Sequence, residues 1–195
     1  MERLIIEELL QWKTSPRRKP LILNGARQVG KTWILKHFGE IHYDNVAYIN
    51  CDKESLAAKL FEDYDVKRII QALEAMTNTQ IVAGKTLIII DEIQEVPRGL
   101  HALKYFAENA PEQHIAVAGS LLGLLLHQGE SFPVGKVNML QMHPMTFLEF
   151  LKAIGEDKMY QQLVNREWSV TNTVHEKIVK HLRMYLYVGG MPEAV

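Results

Sequence analysis

Residues 21–38 read LILNGARQVGKTWILKHF. Inside this run, Gly25-Ala26-Arg27-Gln28-Val29-Gly30-Lys31-Thr32 satisfies every fixed position of the phosphate-binding signature G-x-x-x-x-G-K-[ST]. The signature has a structural precondition: the loop must leave a buried strand and open a helix. LILNG is a short apolar run of strand type, and KTWILKHF carries a helical pattern. Glycines let the chain curl so that successive amides face phosphate oxygens. The helix that follows adds its partial positive charge. In that geometry the Lys31 ammonium reaches the β and γ phosphates, and the Thr32 hydroxyl completes the shell of a Mg²⁺ ion. A glycine-rich strand–helix turn without a ligand is the bland alternative, and the flanking elements argue against it.

The same chain supplies a control. Gly84-Lys85-Thr86 repeats the triplet, but Thr79 stands where the first glycine belongs. That triplet also precedes a strand, so it has no loop to curl and no helix to open.

A second motif is TLIIIDEIQEVP. Four apolar residues, Leu87 to Ile90, run into Asp91-Glu92. An acid ending a strand beside a phosphate loop holds Mg²⁺, which assigns Asp91 to the metal. Glu92 is then placed to polarise the attacking water. Two adjoining carboxylates repel one another without a cation, which itself argues for Mg²⁺. A third run, HIAVAGS, ends in Ser120. There a polar side chain senses the γ phosphate or orients the water; Ser120 would equally N-cap the next helix.

Arg27 could touch nucleotide or a neighbouring subunit, although an exposed loop arginine is the simpler account. Trp33 continues the loop into its helix and is counted with Gly25–Thr32 as a cofactor-binding position, yet its ring is expected in the core rather than on a base. Eight histidines form no metal pattern, with His175 and His181 six apart, and there is no H-E-x-x-H or G-x-S-x-G. The single cysteine, Cys51, cannot form an internal disulfide, which fits a reducing cytosol, and it is expected to be a small buried hydrophobe at a strand end.

Strand-type runs at 21–25, 45–50, 86–92, 114–120 and 137–142 alternate with helical patterns. Strands apolar throughout imply an α/β fold whose parallel sheet is covered on both faces. Helices are expected before the first strand, in two pieces broken near Asp63–Asp65, at 99–110, and from Ser120 onward. After Pro144 only helical patterns follow, so the core is expected to span residues 1–143 and a small helical region 144–195. The ending YVGGMPEAV is apolar and turn-rich and reads as a cut end.

The 195 residues are 47% hydrophobic and 23% charged with net charge −1. That composition supports one sizeable core and gives no bulk electrostatic reason to bind nucleic acid or an anionic membrane. The start MERLIIEELLQWK is no signal peptide, and the longest apolar stretch, Ile115–Leu126, is too short to cross a bilayer. A cytoplasmic protein is expected.

Together LILNGARQVGKT, TLIIIDEIQEVP, AVAGSLLGLLL, FPVGKVNMLQMHPMTFLEFL and YLYVGGMPEAV resemble a bacterial and archaeal group of AAA-type P-loop ATPases. The first two segments are shared by many P-loop ATPases; PMTFLEFL and GGMPEAV are far more specific to this group. The resemblance implies a five-stranded parallel sheet of order 5-1-4-3-2 followed by a small helical lid. It implies ATP and Mg²⁺ as cofactors, Asp91 as the Walker B magnesium acid, Glu92 as the catalytic acid and Ser120 as the sensor. It further implies a C-terminal domain of unknown function, absent from these residues together with any second-sensor arginine it contributes. Where many members carry Gly-Arg before the fifth strand, this chain has Gly135-Lys136, a charge without the bidentate fork.

The function expected is a Mg²⁺-dependent ATPase that drives or gates an attached or partner domain. A nucleotide-binding switch with little turnover is the first alternative. A P-loop small-molecule kinase ranks lower, because the helical tail holds only Arg166 and Arg183. A GTPase lacks its N-K-x-D signature. A homo-oligomer is allowed but not demanded.

Overall fold

A computed structural model describes residues 3–53, 56–119, 133 and 135–195. Helix α1 spans Ile5–Thr14, strand β1 Leu21–Gly25, α2 Lys31–His42 and β2 Asn45–Asn50. Then come α3 (Ala57–Leu60), α4 (Val66–Thr77), β3 (Thr86–Asp91), a 3-10 turn (Ile93–Glu95), α5 (Pro97–Asn109), β4 (His114–Ala118) and β5 (Asn138–Met142).

The five strands form one sheet in the order β2-β3-β4-β1-β5, which is 5-1-4-3-2 read from the other edge. Every pairing is parallel, with Leu23 opposite Ala118 and Gly25 opposite Met142. Alternation along each strand sends side chains to opposite faces. Ile22, Ile88, Ile90, Ile115 and Val117 join α3, α4 and α5 in one apolar cluster. Leu21, Leu23, Leu87, Ile89 and Ala116 join α1 and α2 in the other. Because both faces are covered, β1, β3 and β4 need the near-continuous apolar composition that made them visible in the sequence, while the edge strands β2 and β5 are only partly buried.

Local chemistry places the helix ends. The Asp65 carboxylate accepts from the amides of Lys67 and Arg68 and starts α4, which is why the helical pattern breaks there. Asn78 closes α4 in the left-handed conformation. The rejected triplet at 84–86 leads into β3, with Thr86 fully buried in that strand.

Beyond β5 lie α6 (Phe147–Ala153), α7 (Asp157–Val164), α8 (Trp168–Thr173) and α9 (His175–Val188). Thr146 and Glu149 form a reciprocal capping box at the start of α6. Helix α8 was not expected as a separate element. Its residues, WSVTNT, are aromatic, β-branched or compete for backbone hydrogen bonds, so they carry a weak helical signal. The expected helix from Ser120 lies outside the described residues. Among the described residues no helix is long and apolar enough to cross a membrane.

Candidate nucleotide-binding site

Parallel strands deliver their C-terminal ends to one side of the sheet, and β1, β2 and β3 meet there. Chain leaving β1 at Gly25 turns through Gln28 (φ 64°) and Gly30 (φ 91°), both left-handed, before entering α2. A side chain at Gly25 would collide with the Met142 carbonyl of β5, so glycine is required where the loop departs. Val29 is fully buried and pins the middle of the loop, while Ala26, Arg27 and Gln28 are exposed. Gly30 caps α2 and no side chain caps that helix, so its first amides are left for an anion.

Lys31 is 9% exposed, and its ammonium donates to the carbonyls of Gly25 (3.1 Å) and Ala26 (2.8 Å). Burial pushes its pKa below the ordinary lysine value, against the opposing pull of Glu92 and Asp91. The Thr32 hydroxyl donates to Asp91 Oδ2 at 2.8 Å, and the Tyr48 hydroxyl donates to the same oxygen at 3.1 Å. The loop and the acid at the end of β3 are thus in direct contact.

At Glu92 the backbone turns left-handed (φ 50°), a conformation uncommon for a residue with a side chain and frequent at functional sites. Its carboxylate accepts from Gln94 Nε2 at 2.5 Å. These groups border an open cleft of about 720 Å³ that also meets Arg27, Trp33, Asp52 and the distant Pro192 and Glu193. Such a volume suits a nucleotide-sized ligand. Two cations, Arg27 and Lys31, face four carboxylates, Asp52, Glu92, Glu95 and Glu193. A polyphosphate entering this cleft is therefore favoured as a complex with a divalent cation.

The protein's oxygen donors fit Mg²⁺. A hydroxyl and a carboxylate are hard ligands, and Mg²⁺ in phosphate sites takes only one or two protein groups besides waters and substrate oxygens. No cluster of three His, Cys, Asp or Glu ligands occurs among the described residues.

Trp33 corrects an expectation. It is 45% exposed, stacked on His37 at 4.7 Å between ring centres, rather than packed in the core. The buried face of α2 is Ile34, Leu35 and Phe38; positions 33 and 37 share the opposite face. Ser120 lies outside the described residues. Lys136 stands before the N-terminal end of β5, across the sheet from the cleft, and pairs with Glu108 at 2.9 Å. Cys51 is buried just past β2 as expected, its thiol pushed up to about 12 chiefly by burial, so it is no thiolate nucleophile.

Two residues that contact the site's acids, Gln94 and Tyr48, escaped the sequence analysis. Gln94 lies inside the quoted DEIQ string, and its place in a one-turn helix after Glu92 was the available signal. Tyr48 reaches Asp91 only because β2 pairs with β3, which spacing along the chain does not reveal.

Residues 17–151 match a family described as AAA domain. The chain belongs to that AAA domain family. The AAA domain is also 27% identical over 171 residues to an uncharacterized protein of Haemophilus influenzae, covering 84% of this chain and 40% of the relative. Its fold resembles the Aeropyrum pernix ORC1 protein, solved in complex with DNA, with a TM-score of 0.47 and 16% identity over 78% of this chain and 47% of that one. The chain spans less than half the length of either. As an AAA-type P-loop domain it has a nucleotide-binding role.

Proposed function

We propose that this AAA domain binds ATP with Mg²⁺ and hydrolyses the β–γ phosphoanhydride, using the cycle to drive or gate an attached or partner domain. The contact that carries the proposal is Thr32 Oγ1 to Asp91 Oδ2, which sets the phosphate loop against the acidic strand end. In this account Gly25–Thr32 wrap the phosphates, Lys31 leaves its loop carbonyls for the γ-phosphate oxygens, and Trp33 and Arg27 border the remainder of the nucleotide. Thr32 and Asp91 would hold Mg²⁺, which when bound neutralises charge on the phosphates. Glu92 orients water and accepts its proton, and Gln94 steadies that carboxylate. Ser120 is proposed as the γ-phosphate sensor. Residues 1–143 act as the core and 144–195 as its helical region. A homo-oligomer that completes the site and a cytosolic setting are parts of the same proposal.

The test is phosphate release from Mg·ATP. Glu92→Gln should lower turnover by about 10²–10⁴-fold and leave ATP affinity unchanged. Equal turnover in both proteins would remove Glu92 from the account, and no phosphate release from either would remove hydrolysis.

The bond from Gln94 to Glu92 favours one second reading, a switch that holds ATP with little turnover because the base is engaged. Tight ATP binding with negligible release, restored by Gln94→Ala, would select it.

A further inference from the structure

Two of the segments that carry the family resemblance, PMTFLEFL and GGMPEAV, supply none of the phosphate-loop, metal or catalytic residues named above. Both connect to the phosphate loop through one buried arginine.

Arg3 is 6% exposed, and its guanidinium spends its donors on three separate pieces of chain. Nε donates to Glu149 Oε1 at 2.9 Å, Nη1 to the Val29 carbonyl at 3.0 Å and Nη2 to the His143 carbonyl at 2.7 Å. Val29 is in the phosphate loop, His143 follows β5, and Glu149 is in the first turn of α6. The Val29 carbonyl and the Gly30 amide belong to one planar trans peptide and point in opposite directions. Gripping that carbonyl therefore also holds the Gly30 amide of the same peptide, and Gly30 lines the cleft.

Glu149 is 5% exposed and holds α6 by its capping box while also accepting from the Leu4 amide at 2.9 Å. Burial opposes its charge, but these donors and Arg3 together hold its pKa below the ordinary carboxylate range. From α6 the connection continues. Phe147 and Phe150 pack on Tyr185 of α9 at 5.7 and 5.5 Å. The Tyr185 hydroxyl donates to the Met145 carbonyl at 2.8 Å, and the Met145 amide donates to the Gly190 carbonyl at 2.7 Å. A side chain at Gly190 would collide with the Met145 carbonyl. Two residues on, Pro192 and Glu193 form a wall of the nucleotide cleft. The path leaves the cleft at Val29 and returns to it at Pro192.

We propose that Arg3 and Glu149 are positioning residues that couple the phosphate loop to the helical region, so that nucleotide binding tightens α6 and α9 onto the core. This rests on the ATP-binding proposal and adds its route of transmission. Hydrophobic pairs can replace buried ion pairs at little cost in stability, so stability alone does not explain a fork reaching three segments.

Amide hydrogen exchange with and without the non-hydrolysable analogue AMP-PNP and Mg²⁺ tests the coupling. In the wild type the analogue should protect residues 25–32 and slow exchange in 147–188 by about tenfold, within the usual range for coupled sites. The double variant Arg3→Met with Glu149→Gln removes both buried charges together and keeps a residue that can serve the capping box. Under saturating analogue it should still protect 25–32, while slowing in 147–188 falls below about twofold. If the double variant fails to fold, Arg3→Lys serves instead. One ammonium cannot reach all three acceptors, so the slowing in 147–188 should fall at least about threefold. No protection anywhere in the wild type defeats the ATP proposal and the coupling with it. Protection of 25–32 alone in the wild type, or undiminished slowing of 147–188 in the variants, overturns the coupling and leaves ATP binding standing.

Discussion

The sheet core and the helical region after β5 are held by different forces. In the core, β1, β3 and β4 are buried at every residue, and α1, α2, α4 and α5 each contribute an apolar stripe. In the helical region, α9 has no buried residue, and Leu186 and Tyr187 are 72% and 94% exposed. Beyond the buried Phe150 and Leu151 of α6 and Met159 of α7, that region is fastened by specific contacts: the Arg3–Glu149 pair, the aromatic group around Tyr185 and the Met145–Gly190 hydrogen bond. Apolar burial is non-directional and makes a rigid platform for the phosphate loop. A few directional contacts can be made and broken at small cost, which suits a segment that answers to a ligand.

Cutting into each region should expose the contrast. Phe38→Ala, at a fully buried site beneath α2, should cost about 3–5 kcal/mol in chemical denaturation. Leu186→Ala on α9 should stay within about 0.5 kcal/mol. Equal costs would mean that the face of α9 is covered in solution.

Gly190→Ala sharpens the contrast, since it attacks a fastening rather than the platform. The added methyl meets the Met145 backbone, and about 1–3 kcal/mol of overpacking strain is expected. Exchange should quicken in 175–195 while β1 and β3 keep their protection. Loss of protection throughout would show that the two regions unfold as one.

A smaller effect belongs to the core alone. His114, at the start of β4, sits against Trp12 and shares a 2.7 Å hydrogen bond with Tyr43. Burial lowers its pKa to about 4, with Arg18 and Lys13 adding to the shift. The unfolded chain therefore binds the proton first. The stabilisation is complete above the ordinary histidine value of about 6.5 and is lost as pH falls from there towards 4. With solvent screening allowed for, about 1 kcal/mol should disappear over that window. His114→Gln should flatten the dependence in a urea titration repeated at each pH, and an unchanged slope would assign it to other groups.

The same division explains what could be read from the sequence. Strands β1, β3 and β4 were legible because double-sided burial demands uninterrupted apolar residues, as in the run Leu87 to Ile90. The break before α4 was legible because Asp65 caps it in place. The pairing of the loop at Gly25 to Thr32 with Asp91 was legible because a glycine-rich strand–helix turn and a strand ending in an acid each leave a pattern in the sequence, and Thr32 does contact Asp91. Arg3 was not, for a lone arginine before an amphipathic helix looks like any solvated charge until β5 and α6 fold over it. Trp33 was misjudged because aromatic bulk was taken as a sign of burial, whereas the phase of α2 turns it outward. Helix α8 was hidden by its composition.

The central claim is that the loop at 25–32, with the acid at the end of β3, grips a nucleotide polyphosphate. Calorimetric titration of Mg·ATP into the wild type and Lys31→Ala tests it most directly. Removing a buried charge partner of the phosphates should weaken binding by about 2 kcal/mol or more, roughly 30-fold. Identical dissociation constants for the two proteins, or no heat of binding in the wild type, would contradict it.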